Sequence, residues 1–391
     1  MKKILGLLLA LCLIAGCTSA FAAGIPVEQI KIGYITIGDE NEGYSANHLN
    51  GLKEAQAALG ISDDQVLCKY NVPETEDAYE AAIDLAEQGC NIIFATSFGH
   101  ESYVFQAAAE YPNIQFCHAT GTAAMSSPLN NVHNYFYAVY ESRYVSGMVA
   151  GMKLAQMIED GTITAENAKI GYVGAFPFAE VISGFTSFFL GARSQCPSVT
   201  MEVRYTNSWA DMALEKETAE ALIADGCVLI SQHADTTGAP SACEAAGVPC
   251  VGYNISMLPV APNTALTSAA GDWGAYVTYA VKCLIDGEEI DRDWCKGYAE
   301  GAVYTTELND SIVAPGTAEK VAELEEAFKA GTVKVFDTST FTVNGETLTS
   351  YTTAYGLEGI EMVSDGEFHE SSVRSAPYFD ILIDGITAVV E

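Results

Sequence analysis

From residue 30 onward the chain alternates short β-rich runs with amphipathic helical runs, and after one cycle the alternation starts again. Lys31-Ile32-Gly33-Tyr34-Ile35-Thr36-Ile37 reads as a strand, 46–59 as a helix, 65–70 as a strand and 75–88 as a helix ending at Gly89. A strand at 91–96, a helix at 101–110 stopped by Tyr111-Pro112 and a strand at 114–118 follow. The second cycle has strands at 170–174, 199–205, 227–232 and 249–253, with helices ending near 193, 224 and 246 between them. Strands separated by helices at this spacing form parallel sheets of βαβ units, so the expected fold class is α/β. The segment Leu85-Ala86-Glu87-Gln88-Gly89-Cys90-Asn91-Ile92-Ile93 resembles Leu222-Ile223-Ala224-Asp225-Gly226-Cys227-Val228-Leu229-Ile230. Two helix–Gly–strand junctions can match by chance, but the whole order of elements favours duplication. Two Rossmann-like lobes would each present a ligand-facing edge at their strand C-termini. The length of 391 residues fits two domains at roughly 100–200 residues each.

The expected division is a signal segment at 1–16, an N-terminal lobe at 30–140 completed by about 265–290, a C-terminal lobe at 141–264 completed by about 300–336, and a β-rich appendage at 337–391. The appendage is rich in Thr, Ser and Gly, and Asn344-Gly345 between β-branched neighbours is a hairpin-turn signal. At the other end, Met1-Lys2-Lys3 is a basic start and 4–15 is an apolar run of secretory length, too short to span a bilayer comfortably. It closes in Leu13-Ile14-Ala15-Gly16-Cys17, which looks like a lipobox with Cys17 as the acylated residue. Cleavage after Ala20-Phe21-Ala22, giving a secreted soluble protein, is the alternative. Beyond Cys12 and Cys17 there are nine cysteines, an odd number that cannot all pair within the chain. No C-x-x-C occurs, and Cys90 and Cys227 lie in apolar stretches where they read as small buried hydrophobes.

Lys plus Arg is 18 against 51 Asp plus Glu, a net charge of −33. That excludes nucleic-acid binding through clustered cations and adsorption to anionic lipid through a basic patch. Motifs for catalysis are missing too. There is no G-x-S-x-G, no P-loop and no G-x-G-x-x-G. His100-Glu101 and His369-Glu370 begin like a zinc-protease motif, but positions 104 and 373 are valine, and the six histidines lack metal-ligand spacing. No catalytic residue, metal or cofactor is expected. Aromatic residues instead follow the strand ends: Tyr44, Phe98, Phe176 with Phe178, Trp209 and Trp273. Such rings can reach a crevice between lobes and stack on a flat ligand. Asp211, Asp235, Asn254 and Asp272 lie nearby as candidate polar partners.

Ala95-Thr96-Ser97-Phe98-Gly99, His118-Ala119-Thr120-Gly121, Tyr140-Glu141-Ser142-Arg143-Tyr144-Val145-Ser146-Gly147, Gly174-Ala175-Phe176-Pro177, Asn207-Ser208-Trp209, Gln232-His233-Ala234-Asp235 and Trp273-Gly274 occur in that order. Together they resemble the signature segments of the basic membrane protein family, purine-nucleoside-receptor-like substrate-binding lipoproteins of ABC importers. The resemblance runs from about residue 30 to 287. It implies the type I periplasmic-binding-protein fold, two lobes with a hinged cleft. It further implies that Tyr44, Phe98, Phe176 and Trp209 line a purine slot, and that Asp235 and Trp273 close it from the other lobe. Nucleoside-binding members carry a lysine shortly after the strand that here reads Leu266-Thr267-Ser268. Here Ala269-Ala270-Gly271-Asp272-Trp273 follows, without lysine, which favours a free purine base over a nucleoside.

The expectation is a monomeric, non-enzymatic receptor, lipid-anchored on the extracytoplasmic face of a bacterial cell membrane. It would take a purine base or nucleoside to an ABC permease and its ATPase. A receptor for a flavin or thiamine-like ring is the first rival. A sensor ectodomain without transport is another. An extracellular nucleoside hydrolase would need a carboxylate cluster of which the sequence shows no sign.

Overall fold

The computed structural model describes residues 24–354 and 357–389, so the signal segment and Cys17 lie outside the described residues. The first sheet contains β1 (Ile32–Ile35), β2 (Val66–Lys69), β3 (Ile92–Ala95), β4 (Gln115–Ala119), β5 (Val132–Tyr135) and β11 (Asp293–Trp294). Its order is β11-β5-β4-β3-β1-β2, all parallel. The second contains β6 (Lys169–Gly174), β7 (Thr200–Tyr205), β8 (Leu229–His233), β9 (Cys250–Tyr253), β10 (Ala265–Gly271), β12 (Val303–Thr305) and β15 (Ile386–Val389). Its order is β12-β10-β9-β8-β6-β7-β15, with only β12 antiparallel. The central strands are buried along their whole length because helices cover both faces of each sheet, and β1, β3 and β9 are apolar runs for that reason while β8 ends in the buried polar Ser231-Gln232-His233. No helix among the described residues is long and apolar enough to cross a membrane.

The repeat seen in the sequence is structural. β3 and β8 hold equivalent places, each between the first strand of its lobe and the fourth. Gly89 and Gly226 precede them at φ 84° and 86°, and Cys90 and Cys227 are buried just beyond. These are left-handed positions that glycine adopts without steric cost. All nine cysteines of the described residues are unpaired.

Helices α1 (Gly43–Leu59), α2 (Glu76–Glu87) and α3 (Glu101–Glu110) flank the first sheet. α4 (Val139–Glu159), α5 (Ala179–Gln195), α6 (Met212–Ala224), α7 (Gly238–Ala246) and α9 (Thr317–Lys329) belong to the second lobe. α4 and α5 approach so closely that a Cβ on Gly147 would lie 2.0 Å from Phe188 O, and one on Gly151 2.2 Å from Ala192 O.

The chain passes between lobes three times, after β5, after β10 and after β11. The first and third crossings run side by side, with Asn134 N donating to Arg292 O (2.9 Å), Phe136 N to Trp294 O (3.0 Å) and Ala138 N to Lys296 O (2.8 Å). Asp272 N donates to Ala302 O at 2.8 Å and ties in the second crossing. The structure differs here from the division expected from sequence. Residues 265–271 form β10 in the second sheet; only α8 (Trp273–Asp286) and β11 return to the first lobe. An apolar strand carries no label for its sheet, and pairing with β9 decides it.

The tail also differs from an appendage. Its Asn344-Gly345 turn forms with both residues at positive φ, and β13 (Val363–Ser364) pairs with β14 (Glu367–Phe368). β15, however, extends the second sheet alongside β7. Phe336, Phe341, Phe368 and Phe379 are buried as one ring cluster. Glu370 is buried and accepts from Ser183 Oγ of α5 (2.8 Å), Tyr378 N (2.7 Å) and Phe379 N (3.1 Å). Ser375 N donates to Asp293 Oδ1 of the first lobe at 2.7 Å, so the tail touches both lobes.

Candidate functional site

Strand order reverses between β1 and β3 in the first sheet and between β6 and β8 in the second. At such a switch the loops leaving the strand C-termini diverge and open a crevice. The two crevices face one another across a narrow cleft. Ile37, Tyr44, Ser97, Phe98 and Thr120 line it from the first lobe, and Glu180, Trp209, His233, Asp235 and Tyr253 from the second.

The walls are aromatic. Tyr44 Oη donates to Thr96 O at 2.5 Å, which fixes the ring. Trp209 is braced edge-on by Phe176 at 5.1 Å, and Phe176 stacks on Phe178 at 5.0 Å and 11°. At the mouth, Phe98 of one lobe meets Phe178 of the other at 5.6 Å between centroids. Backbone strain also collects at the cleft. Thr120 after β4 has φ 63°, a left-handed conformation that a β-branched residue rarely adopts, and its hydroxyl is buried without a partner. Asn254 after β9 has φ 65°, and its Oδ1 is likewise buried and unpartnered.

The polar groups are mainly acids. Asp235 accepts from Asn254 Nδ2 at 2.8 Å, and burial, then Glu42, Glu215 and Glu180, hold its carboxyl well above the ordinary range. Glu180 is pushed up to about 7 by burial, with Arg143 acting in the opposite sense. His233 Nε2 lies 3.4 Å from Glu180 Oε1, and burial, followed by Arg143, keeps that imidazole neutral. No lysine or arginine is among the lining residues. Arg143 sits beneath, stacked 3.7 Å above the Tyr253 ring and donating to Gln232 O at 2.7 Å. Among the described residues no cluster of three His, Cys, Asp or Glu is arranged to hold a metal.

Of the residues expected from sequence, Tyr44, Phe98, Trp209 and Asp235 come together on the cleft surface. Phe176 and Asn254 stand directly behind it, bracing Trp209 and Asp235. The other three are elsewhere. Asp211 caps α6, accepting from Ala213 N and Leu214 N at 3.0 Å. Asp272 caps α8, accepting from Gly274 N at 2.7 Å. Trp273 does not close the slot: it is 1% exposed and stacks on His48 at 3.9 Å in the first lobe's core. The first residue of a helix after a strand end can turn toward the cleft or into the core, and its sequence position is the same in both cases. Glu180, His233, Tyr253, Ser97, Thr120 and Ile37 were not anticipated. Ser97, Thr120 and His233 lie within the family-like segments, and Glu180 stands two residues after Phe178.

The model of the Bmp family, described as ABC transporter substrate-binding protein PnrA-like, matches residues 35–335. A purine-binding protein of Brucella abortus is 33% identical over 311 residues, 79% of this chain and 83% of that one. A putative ABC transporter glucose-binding protein of Haloferax volcanii is 29% identical over 337 residues, 85% of this chain and 81% of its own. An ABC transporter solute-binding protein structure from Aeropyrum pernix is similar in fold, with a TM-score of 0.66 at 18% identity, covering 78% of this chain and 93% of that one. With a family match that spans both lobes and the crossings between them, the chain belongs to the PnrA-like substrate-binding proteins of ABC transporters, which bind a solute and catalyse nothing.

Proposed function

We propose that this protein captures a purine base or nucleoside between its lobes, closes over it, and delivers it to an ABC permease. The observation that carries the reading is the composition of the cleft: aromatic rings from both lobes, two carboxyls facing the space, and no cation. Aromatic faces stack a flat heterocycle, and carboxyls accept its N–H groups. An anionic nucleotide would meet repulsion there. The Brucella relative, named for purine binding, supports the same ligand class. The absence of a lysine after β10 favours base over nucleoside. The lipobox supports a tether through Cys17 that holds the receptor at the outer face of the membrane.

Calorimetry with adenine, guanine and hypoxanthine beside their nucleosides tests the ligand. Each base is expected to bind at least as tightly as its nucleoside. Glucose belongs in the panel because one relative carries that name; heat with glucose and none with any purine overturns the reading. For the tether, Cys17→Ala is expected to release the protein or leave an unprocessed precursor, and a wild-type protein starting at Ala23 refutes it.

A further inference from the structure

Four carboxyls crowd the inner end of the cleft, and hydrogen bonding divides them. Glu42 caps α1 with both oxygens, accepting from Tyr44 N at 2.5 Å and Ser45 N at 2.9 Å. Glu215 is buried and takes Thr236 N on both oxygens at 3.2 Å. These two are occupied by backbone amides and do not line the space. Asp235 and Glu180 do, and Asp235 has one oxygen engaged by Asn254. Glu180, the second residue of α5, has a single hydrogen-bond neighbour among the described residues, His233 Nε2.

We propose that Glu180 is a specificity-determining residue that accepts an N–H of the bound purine and releases its own proton to solvent as the ligand enters. This inference rests on the purine reading above.

The surroundings of Glu180 supply the reason. His233 of β8 is neutral, and its Nδ1 lies against Gly184, where a Cβ would come within 2.5 Å and no acceptor is in reach. Its ring proton therefore sits on Nε2, facing Glu180. Asp235, after β8, is a second acid beside it, and Glu180 is among the groups that help hold the Asp235 carboxyl protonated. Arg143 of α4 faces Glu180 without forming an ion pair with it, since its guanidinium is stacked on Tyr253 and bonded to Gln232 O. Tyr44 of α1, Tyr137 of the first crossing and Tyr253 of β9 complete the shell, and all three are held protonated by burial. In the empty cleft the distant Arg143 and the long contact to His233 Nε2 at 3.4 Å do not offset the cost of burying the charge, so the acid holds its proton up to about pH 7. A ligand N–H hydrogen-bonds the charged form and lowers that value. Binding then expels a proton, and affinity rises with pH. With the free acid near 7 and the complex well below 6, affinity is about tenfold higher at about pH 8 than at about pH 6.

The experiment titrates wild type and Glu180→Gln with adenine and guanine at about pH 6, 7 and 8, in buffers of different ionisation enthalpy. Wild type is expected to bind about tenfold tighter at the highest pH and to release close to one proton at the lowest. Glu180→Gln, which keeps the side chain's size, is expected to lose the pH dependence and to bind at least tenfold more weakly at about pH 8. The proton count on wild type needs no variant, so a misfolded substitution does not protect the idea. Purine binding with pH-independent affinity and no proton release overturns the role of Glu180 and leaves the purine reading standing. So does a variant whose pH slope matches wild type. No binding of either purine at any pH removes the purine reading and this inference with it.

Discussion

Phe98 and Phe178 come from opposite lobes and meet at the cleft mouth, 38% and 39% exposed. Their contact exists only while the lobes are together, so it adds to the stability of the closed state alone. An aromatic pair at this separation contributes about 0.5–1.5 kcal/mol beyond its buried area. A ligand that binds the closed state loses the same amount when the pair is broken, a factor of about 2 to 13 in affinity. Single substitutions confuse the measurement, because Phe98 also lines the cleft and Phe178 also stacks on Phe176. A double-mutant cycle of Phe98→Ala, Phe178→Ala and both together subtracts those losses. The expected coupling is about 0.5–1.5 kcal/mol, carried mainly by faster dissociation. Stopped-flow release of ligand, followed by the fluorescence of Trp209 in the cleft wall, provides the rates. Additivity of the two substitutions within about 0.3 kcal/mol would show that the rings do not latch the lobes.

Three further outcomes follow from the packing and the buried charges. Gly147→Ala places a methyl 2.0 Å from Phe188 O and must push α4 from α5; a stability loss of about 1–3 kcal/mol in denaturant melts is expected, and an unchanged midpoint contradicts it. Glu370→Ala leaves the Ser183 hydroxyl and three backbone amides without their acceptor and should destabilise the second lobe by about 3 kcal/mol, whereas a tail that were a mere appendage would show no effect on thermal unfolding. Glu141, Glu180 and Glu215 are each pushed up to about 7 by burial, so the folded state holds protons that the unfolded chain has released. The buried neutral histidines His48, His100, His118, His133 and His233, with values held below the ordinary one, oppose this trend, most strongly below about pH 6.5 and fading above it. Between about pH 7 and 8 the acids outweigh the fading histidine contribution, and the ligand-free protein should lose a net of about 0.3 kcal/mol; a melting temperature that rises over that interval refutes the sign.

Local periodicity and turn chemistry made much of the architecture readable in advance. Strand and helix limits fell close to their observed places because burial on both sheet faces writes continuous apolar runs. The paired Gly89 and Gly226 junctions announced two similar lobes because both need the same left-handed turn. Three of the four Tyr, Phe and Trp residues of the cleft wall, Tyr44, Phe98 and Trp209, were visible for a related reason: rings placed just past strand ends have few destinations besides the crevice. Asp235 was legible as an acid in the same position. The rest depended on direction rather than place. Trp273 and Asp272 follow a strand as Tyr44 does, yet α8 crosses into the first lobe and turns the indole onto His48.

Only the tertiary structure could decide which sheet takes 265–271, because three crossings between lobes exchange segments without leaving a local mark. It alone showed that 386–389 is the outer strand of the second sheet, a pairing across some 180 residues that no short-range pattern encodes. The division among the acids belongs to the same class. Glu42, Glu180, Glu215 and Asp235 are equivalent as letters in an acidic chain, and they differ by the partners the fold sets before them. Backbone amides occupy Glu42 and Glu215, and the open cleft faces Glu180 and Asp235. Sequence by itself determined the α/β alternation, the duplication and the absence of catalytic motifs, since each is written in neighbouring residues. Which side chains share the cleft, and which of them hold a proton there, depends on distances between residues far apart in the chain, and those distances exist only after folding.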